Sequence, residues 1–341
     1  MVQPRIGLKG VAAAAGVSVG TVSHVLNHPE RVSAARRAAV EQAIADLGFV
    51  RDESARRLRA GYSNTIGLLL LDAWNPAFAA MAMGVEDSAA RAGMTLFISN
   101  SAREITRESA YLRVFAEHRV AGAIVVPHDP QSQGLHQVRA GGVPVVILDR
   151  TDVRDGVVSV GVDDRRGGEI AASHLLDLGH TRLAFAGDTT VAAPVVDRLA
   201  GFADTAAGRA TLTRLPCPLS IEGGRTIADQ VLSMPQDVRP SAVQCAVDVV
   251  AVGLLHELQR RGVCVPEDLS VVGYDDIPLA AELTVPLTTI ARPHYEMGLA
   301  AFGLLESLIA GQPLDAPRRT FTPRLVERAS TTAPAGVARR G

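Results

Sequence analysis

Between Ser18 and Asn27 the chain sets Gly20, Thr21, Ser23, His24 and Asn27 at spacings that share one side of a helix, with Val22, Val25 and Leu26 on the other. Short and hydrogen-bonding side chains in that pattern suit close approach to the floor of a DNA major groove. A second set lies downstream at the ends of apolar runs of strand length: Asp72, Asp149 with Arg150, Asp163 with Asp164, Asp248, and Asp275 with Asp276. Open α/β sheets bind ligands outside the carboxyl ends of their strands, so acids and arginines converging there would hold a small hydroxyl-rich ligand. Ordinary loop carboxylates are the plainer alternative, weakened by recurrence at equivalent places.

A third constellation, Gly16-Val17-Ser18-Val19-Gly20, has the form of a Gly-x-Ser-x-Gly nucleophile elbow. The elbow needs a strand before its serine. A helical pattern precedes it here, so nucleophilic catalysis is not expected. No phosphate loop ending in lysine, no His-Glu-x-x-His and no His/Cys cluster at metal-ligand spacing occurs. Neither a cofactor nor a metal is expected.

Three helices must position the first set. Leu8, Val11, Ala12 and Ala15 recur at i, i+3, i+4 and i+7, Gly16 supplies a left-handed stop, and Ser18 caps the second helix. A turn at Asn27-His28-Pro29-Glu30 leads to Ser33, expected to cap a third helix with Val40, Ala43, Ile44 and Leu47 on one face and Gly48 at its end. Taken alone, such helices also fit the core of an ordinary all-α domain. Residues 51–61 read as a further two-turn helix capped by Asp52, with Glu53 and Arg57 in the favourable order for an ion pair. A helix that short forms only when something docks it.

From Thr65 the texture changes. Strand-length runs at 66–71, 94–99, 122–127 and 143–149 alternate with helical patterns at 78–91, 105–117 and 131–140. A second series has runs at 157–162, 182–186, 242–247 and 270–274, with helices near 166–178, 194–206 and 249–261. This is the mark of βαβ units: an α/β chain with two doubly wound parallel-sheet lobes, preceded by an all-α helix-turn-helix headpiece.

Composition agrees. At 341 residues and 47% hydrophobic content the chain can form two or three domains around a large core. The formal charge is only −2, but residues through Tyr62 carry nine basic and five acidic side chains while the remainder carries 25 and 31. A basic module therefore precedes an acidic body. Cys217, Cys245 and Cys264 are scattered and form no Cys-x-x-Cys, which points to a reducing cytoplasm. No signal-peptide pattern and no apolar run of spanning length is present, so secretion and a membrane partner are not expected.

The motifs Val11-Ala12, Ala15-Gly16-Val17-Ser18, Thr21-Val22-Ser23, Val25-Leu26-Asn27, Ala55-Arg56, Leu58-Arg59, Asn75-Pro76 and Arg198-Leu199-Ala200-Gly201 fall in this order along the chain. They are followed by Val265-Pro266-Glu267-Asp268-Leu269, Asp275-Asp276-Ile277-Pro278 and Pro286-Leu287-Thr288-Thr289. Together they resemble the bacterial lactose/galactose-repressor (LacI/GalR) family of transcription factors over nearly the whole length. The resemblance implies a headpiece at 1–50, a hinge helix and linker at 51–64, and an effector-binding and dimerisation domain at 65–341. The first lobe would take about 65–160 and 293–320, the second about 161–291 and 321–333.

The resemblance further implies a repressor of near-palindromic double-stranded DNA, a homodimer with a tetramer as alternative, governed by a sugar or sugar derivative. DNA contacts would fall to Ser18, Val19, Gly20, Thr21, Ser23, His24 and Asn27, and in the hinge to Ala55, Arg56 and Leu58, the last matching a leucine that wedges between base pairs. Arg198 and Asp275 match recurrent effector contacts. Asp72, Phe78 and Asp149 would be rim or floor, and Asp248 matches half of an Asn-Asp pair whose other half is Val247 here. His24 replaces the usual arginine, Arg51 replaces a proline, and residues 208–223 are shorter than in relatives. A sugar-binding protein without a headpiece and an α/β enzyme without an assembled catalytic constellation are the rival readings.

Overall fold

Apolar spacing in the first fifty residues closes a three-helix core. In the computed structural model, which describes residues 7–49, 63–151, 153, 156–188 and 193–334, the chain divides into two units at Tyr62 and Ser63. In the first unit α1 (Leu8–Ala14), α2 (Val19–Asn27) and α3 (Ala34–Leu47) bury Val11, Ala12, Val22, Val25, Val40 and Ala43 together. Gly16, at φ 64°, ends α1, and Ser18 Oγ accepts the Thr21 amide at 3.1 Å to start α2. The helix axes turn through 103° at this break, the angle of a helix-turn-helix pair. Ser33 takes the N-cap position of α3 in extended backbone, but its side chain makes no capping bond. Gly48 ends α3 at φ 58°. The expected hinge, with Ala55, Arg56 and Leu58, lies outside the described residues.

The second unit runs β1 (Thr65–Leu70), α4 (Pro76–Arg91), β2 (Thr95–Asn100), α5 (Ile105–Glu117), β3 (Gly122–Val125), α6 (Gln133–Ala140), β4 (Val145–Leu148) and β5 (Val158–Val162). It continues through α7 (Asp164–Asp177), β6 (Arg182–Ala186), α8 (Ala193–Ala206), β7 (Thr211–Leu215), α9 (Ile221–Ser233), β8 (Ala242–Cys245) and α10 (Asp248–Arg260). It ends with β9 (Ser270–Asp275), α11 (Pro278–Glu282), β10 (Thr288–Ala291), α12 (His294–Ile309), β11 (Arg318–Phe321) and β12 (Arg324–Val326). One sheet has the order β11-β5-β4-β3-β1-β2 and is wholly parallel; the other, β12-β10-β9-β8-β6-β7, is parallel except that β12 runs against β10. Strands β3, β4 and β5 are buried along their whole length, as helices on both faces require, so they read as continuous apolar runs.

The run at 157–162, which strand–helix alternation groups with the second series although the family resemblance ends the first lobe near residue 160, forms β5 of the first sheet, between β4 and β11. A run buried on both faces looks the same in either sheet. The chain passes between sheets after β5, at Arg292-Pro293 after β10, and between β11 and β12. Helix α12 returns to the first lobe and packs Met297, Ala301, Phe302 and Leu305 into a core with Ile66, Met81 and Val85. Gly84 and Gly298 let α4 and α12 cross with their backbones touching, since a Cβ on either would overlap a carbonyl oxygen of the facing helix. Among the described residues no single helix is long and apolar enough to cross a membrane.

Candidate functional site

The exposed side of α2 is built as its spacing requires. Ser18, Val19, Gly20, His24 and Asn27 are exposed, and Thr21 and Ser23 are half-buried. Several are engaged within the helix: the Ser18 and Thr21 hydroxyls lie 2.9 Å apart, and Asn27 Nδ2 donates to the Ser23 carbonyl at 2.8 Å. Val19 and Gly20 stand on the open surface, where a Cβ at Gly20 would meet only Ser18 Oγ, at 3.6 Å. Packing therefore does not demand this glycine, whose lack of a side chain leaves the surface of α2 low at this point. The Gly16–Gly20 stretch joins two helices, with no strand before its serine.

The second site lies between the two sheets at the carboxyl ends of their strands. Asp149 follows β4, Asp275 ends β9, and Arg292 follows β10. All three are buried. Arg292 donates through Nη2 to Asp149 and through Nη1 to Asp275, the latter at 3.2 Å. Asn75 caps α4 by accepting the Ala77 amide at 3.0 Å and also hydrogen-bonds Asp275. His294 is pushed down to about 3 by burial, and its Nε2 lies 2.9 Å from the Asp275 carbonyl, which makes that nitrogen the donor. Burial also pushes the Asp275 carboxyl up to about 8 and the Arg292 guanidinium down to about 9.

Arg198, on α8, is held from three sides. Its Nε donates to Asp164 at 2.8 Å, its Nη1 to the Ala246 carbonyl at 2.8 Å, and its guanidinium lies 3.8 Å over the Tyr274 ring. Tyr274 in turn donates to Asp164 at 2.8 Å. Burial opposes the charge on Arg198, yet Asp164 keeps it protonated above the ordinary arginine value. Phe78, Asp149, Arg198 and Asp275 thus line one cavity of about 40 Å³, whose apolar wall includes Leu71, Val126, Val195, Leu219 and Val247. Such a volume holds a few water molecules, so a ligand the size of a pentose enters only if the lobes part or side chains swing aside.

Two expected residues stand apart. Asp72 does not line the cavity: its Oδ1 accepts the Trp74 amide at 3.1 Å and its Oδ2 faces Arg103 Nη2 at 3.4 Å, so it meets the cavity only through Arg103. Asp248 is a correction, because it does not line the cavity. It is fully buried, accepting the Ile277 amide at 2.9 Å and the Thr289 hydroxyl at 2.6 Å, and so ties the turn after β9 to β10. Burial pushes its carboxyl up to about 6.

Strand-end reasoning applied to carboxylates passed over Arg103, His128 and Arg292, which line the same cavity. Arg103 follows β2 and His128 follows β3, so the rule that located Asp72 reaches both once basic side chains are included. Backbone strain marks the same edge. Of the six non-glycine residues with positive φ among those described, Ala102, Arg103, Asp149, Asp275 and Asp276 lie at or just past strand carboxyl ends.

Comparison with known proteins covers the helical region and much of the two-sheet unit. The family of bacterial regulatory proteins named for lacI covers residues 7–52, and a periplasmic binding protein-like domain covers residues 172–331. The HTH-type transcriptional repressor PurR of Aliivibrio fischeri is 34% identical over 332 residues, spanning 95% of this chain and 97% of its own. The chain belongs to the LacI family of bacterial transcriptional regulators. The ribose operon repressor of Escherichia coli is likewise 34% identical, across 95% of this chain and 99% of its own. Among solved structures, a lac repressor dimer bound to operator and the anti-inducer ONPF superimposes with a TM-score of 0.81 at 27% identity, covering 97% of this chain and 100% of that one. A LacI family regulator from Enterococcus faecium with bound ribose gives a TM-score of 0.71 at 29% identity over 79% of this chain and 99% of that one. In this LacI-family regulator the helix-turn-helix region within residues 7–52 is therefore the DNA-binding part of the chain. Its named relatives are transcriptional repressors, not enzymes.

Proposed function

We propose that this regulator is a homodimeric repressor of a near-palindromic operator, released or engaged by a small sugar-like effector held between its lobes. The observation that carries this reading is the gathering of Asp149 from one lobe and Arg198 and Asp275 from the other around one cavity that Arg292 bridges. A ligand that separates those groups, or replaces their bonds, favours one arrangement of the lobes over another. Its leverage on DNA equals its differential affinity for the two. Ribose and cellobiose accompany related regulators in solved structures, which supports a carbohydrate effector here.

On the DNA side, Ser18, Thr21, Ser23 and Asn27 take phosphates and cap the helix, while Val19, Gly20 and His24 read bases. Ala55, Arg56 and Leu58 enter the minor groove between half-sites. His24 gives guanine one hydrogen bond in place of an arginine fork, so this operator differs from those of arginine-bearing relatives. A second copy has an apolar edge to meet: β2 ends the first sheet, with Phe97 and Ile98 about half exposed, and Trp74, in the loop after the neighbouring strand β1, is 90% exposed. The protein binds its effector without turning it over. It works in the cytoplasm, where its free cysteines stay reduced.

Deleting the residues before Thr65 tests the division of labour. Operator binding is expected to vanish while a thermal shift with the effector persists; loss of both, or of neither, contradicts it.

A further inference from the structure

Three nitrogens around the inter-lobe cavity are buried without a hydrogen-bond partner: Arg103 Nη1, His128 Nδ1 and Arg292 Nε. Among the described residues no cavity-lining oxygen is in that condition; the orphaned oxygen, Gln244 Oε1, belongs to a residue outside the lining. Arg103 Nη1 and Arg292 Nε can only donate, and a buried donor left without an acceptor is costly, so the wall at these two points is complementary to something that brings acceptors. A sugar hydroxyl also brings a proton and leaves a new donor to satisfy. A phosphate ester or carboxylate brings acceptors alone and pairs with guanidinium groups in charge-assisted bonds.

Donor geometry agrees. Four guanidinium groups, of Arg103, Arg150, Arg198 and Arg292, line the cavity; Asp72 takes an N–H of Arg103, Asp164 one of Arg198, and Asp149 and Asp275 one each of Arg292, which leaves Arg103 Nη1 and Arg292 Nε over for a ligand. His128 is set in place by Glu108, itself buried, whose carboxylate accepts the His128 amide at 2.7 Å and the Ser132 hydroxyl at 3.2 Å. This leaves the imidazole free to present Nδ1 to the cavity, in the tautomer that an oxyanion selects. Arg103 is anchored at Nη2 by Asp72, which leaves Nη1 for a ligand.

We propose that the effector carries an oxyanion: a small polyol bearing a phosphate ester or a carboxylate, its charged end taken by Arg103 and His128 and met by Arg292 at the crossover. This rests on the cleft being the effector site. Titration calorimetry of the full chain with a panel of pentoses and hexoses, their phosphate esters, their aldonic acids, and inorganic phosphate tests it. At least one ester or aldonate is expected to bind about tenfold or more tightly than its neutral parent, the margin of one charge-assisted hydrogen bond. The ester and aldonate arms decide which oxyanion is read.

Arg103→Gln is expected to remove most of that margin, lowering the charged derivative's affinity at least about fivefold more than the neutral parent's. His128→Asn is the second variant should Arg103→Gln fail to fold. A neutral sugar that binds as tightly as its charged derivatives, and is lost on Arg198→Lys, overturns the oxyanion and leaves the cleft as the site. Anion binding that both variants leave intact, or binding by inorganic phosphate at the same strength whichever cavity residue is changed, also overturns it. Failure of every charged derivative to bind does so as well.

Discussion

Arg292, the first residue beyond the last long strand of the second lobe, donates a hydrogen bond to Asp149, the residue just past β4 of the first. The bond therefore spans the cleft, and the same guanidinium reaches Asp275 on its own side. Whatever moves the lobes must stretch or replace these contacts, which makes Arg292 part of both the site and the coupling between lobes.

Removing that cation should expose its cost. Arg292→Met leaves Asp149 and Asp275 buried without their partner, and a loss of about 3–5 kcal/mol is expected in urea denaturation. Adding Asp149→Asn to it should recover part of the loss. A single variant within about 0.5 kcal/mol of the parent would show that the bridge carries no weight.

Asp248 gives a pH signature of its own. Its folded-state value of about 6 stands above the ordinary 3.8, so its contribution to stability is complete below the lower value and is lost as pH rises through the higher one. Asp248→Asn cannot titrate and keeps only one of two accepting oxygens. Its deficit against the parent should be largest near pH 4 and shrink by up to about 3 kcal/mol towards pH 7. Parallel stability curves for parent and variant across that range contradict the assignment.

Helix α8 is held to α7 by glycines. A Cβ on Gly201 would overlap the Arg165 carbonyl oxygen, and one on Gly168 the Arg198 carbonyl oxygen. Gly201→Ala must push the helices apart three residues from Arg198, costing about 1–3 kcal/mol and weakening effector binding. An unchanged melting temperature together with unchanged effector affinity would sink this view.

In the headpiece, His24→Arg restores a two-pronged donor. Selection from a randomised half-site should show preference for guanine opposite this position strengthened by about 1–3 kcal/mol, with other positions unaffected. Identical selected sequences for parent and variant would place His24 away from the bases.

Local chemistry accounts for what was readable in the sequence. Gly16, Ser18 and Gly48 mark helix ends through backbone geometry and a single side-chain bond, and α5 occupies residues 105–117 as its apolar spacing indicates. What failed was non-local. Nothing inside the run that became β5 says which sheet receives it, because both would bury it fully. The edge strand β7, within residues 208–223, is only partly buried and gives no continuous apolar run. Asp248 looked like its neighbours at strand ends, yet Thr289 and the Ile277 amide, forty-one and twenty-nine residues on, draw it into the core. Arg103 and His128 lie past the ends of β2 and β3, where the strand-end rule that marks Asp72 and Arg150 reaches them as well.

Under the proposed function, one ligand in the cleft sets operator affinity. Fluorescence anisotropy of the full chain on a labelled operator from upstream of its own gene, at fixed moderate salt and with a random duplex as control, reads it directly. Operator preference is expected, and a ligand shown to bind the cleft should change operator affinity by about 5- to 150-fold. Equal affinity for random duplex, or an operator affinity that saturating ligand leaves unmoved, contradicts it.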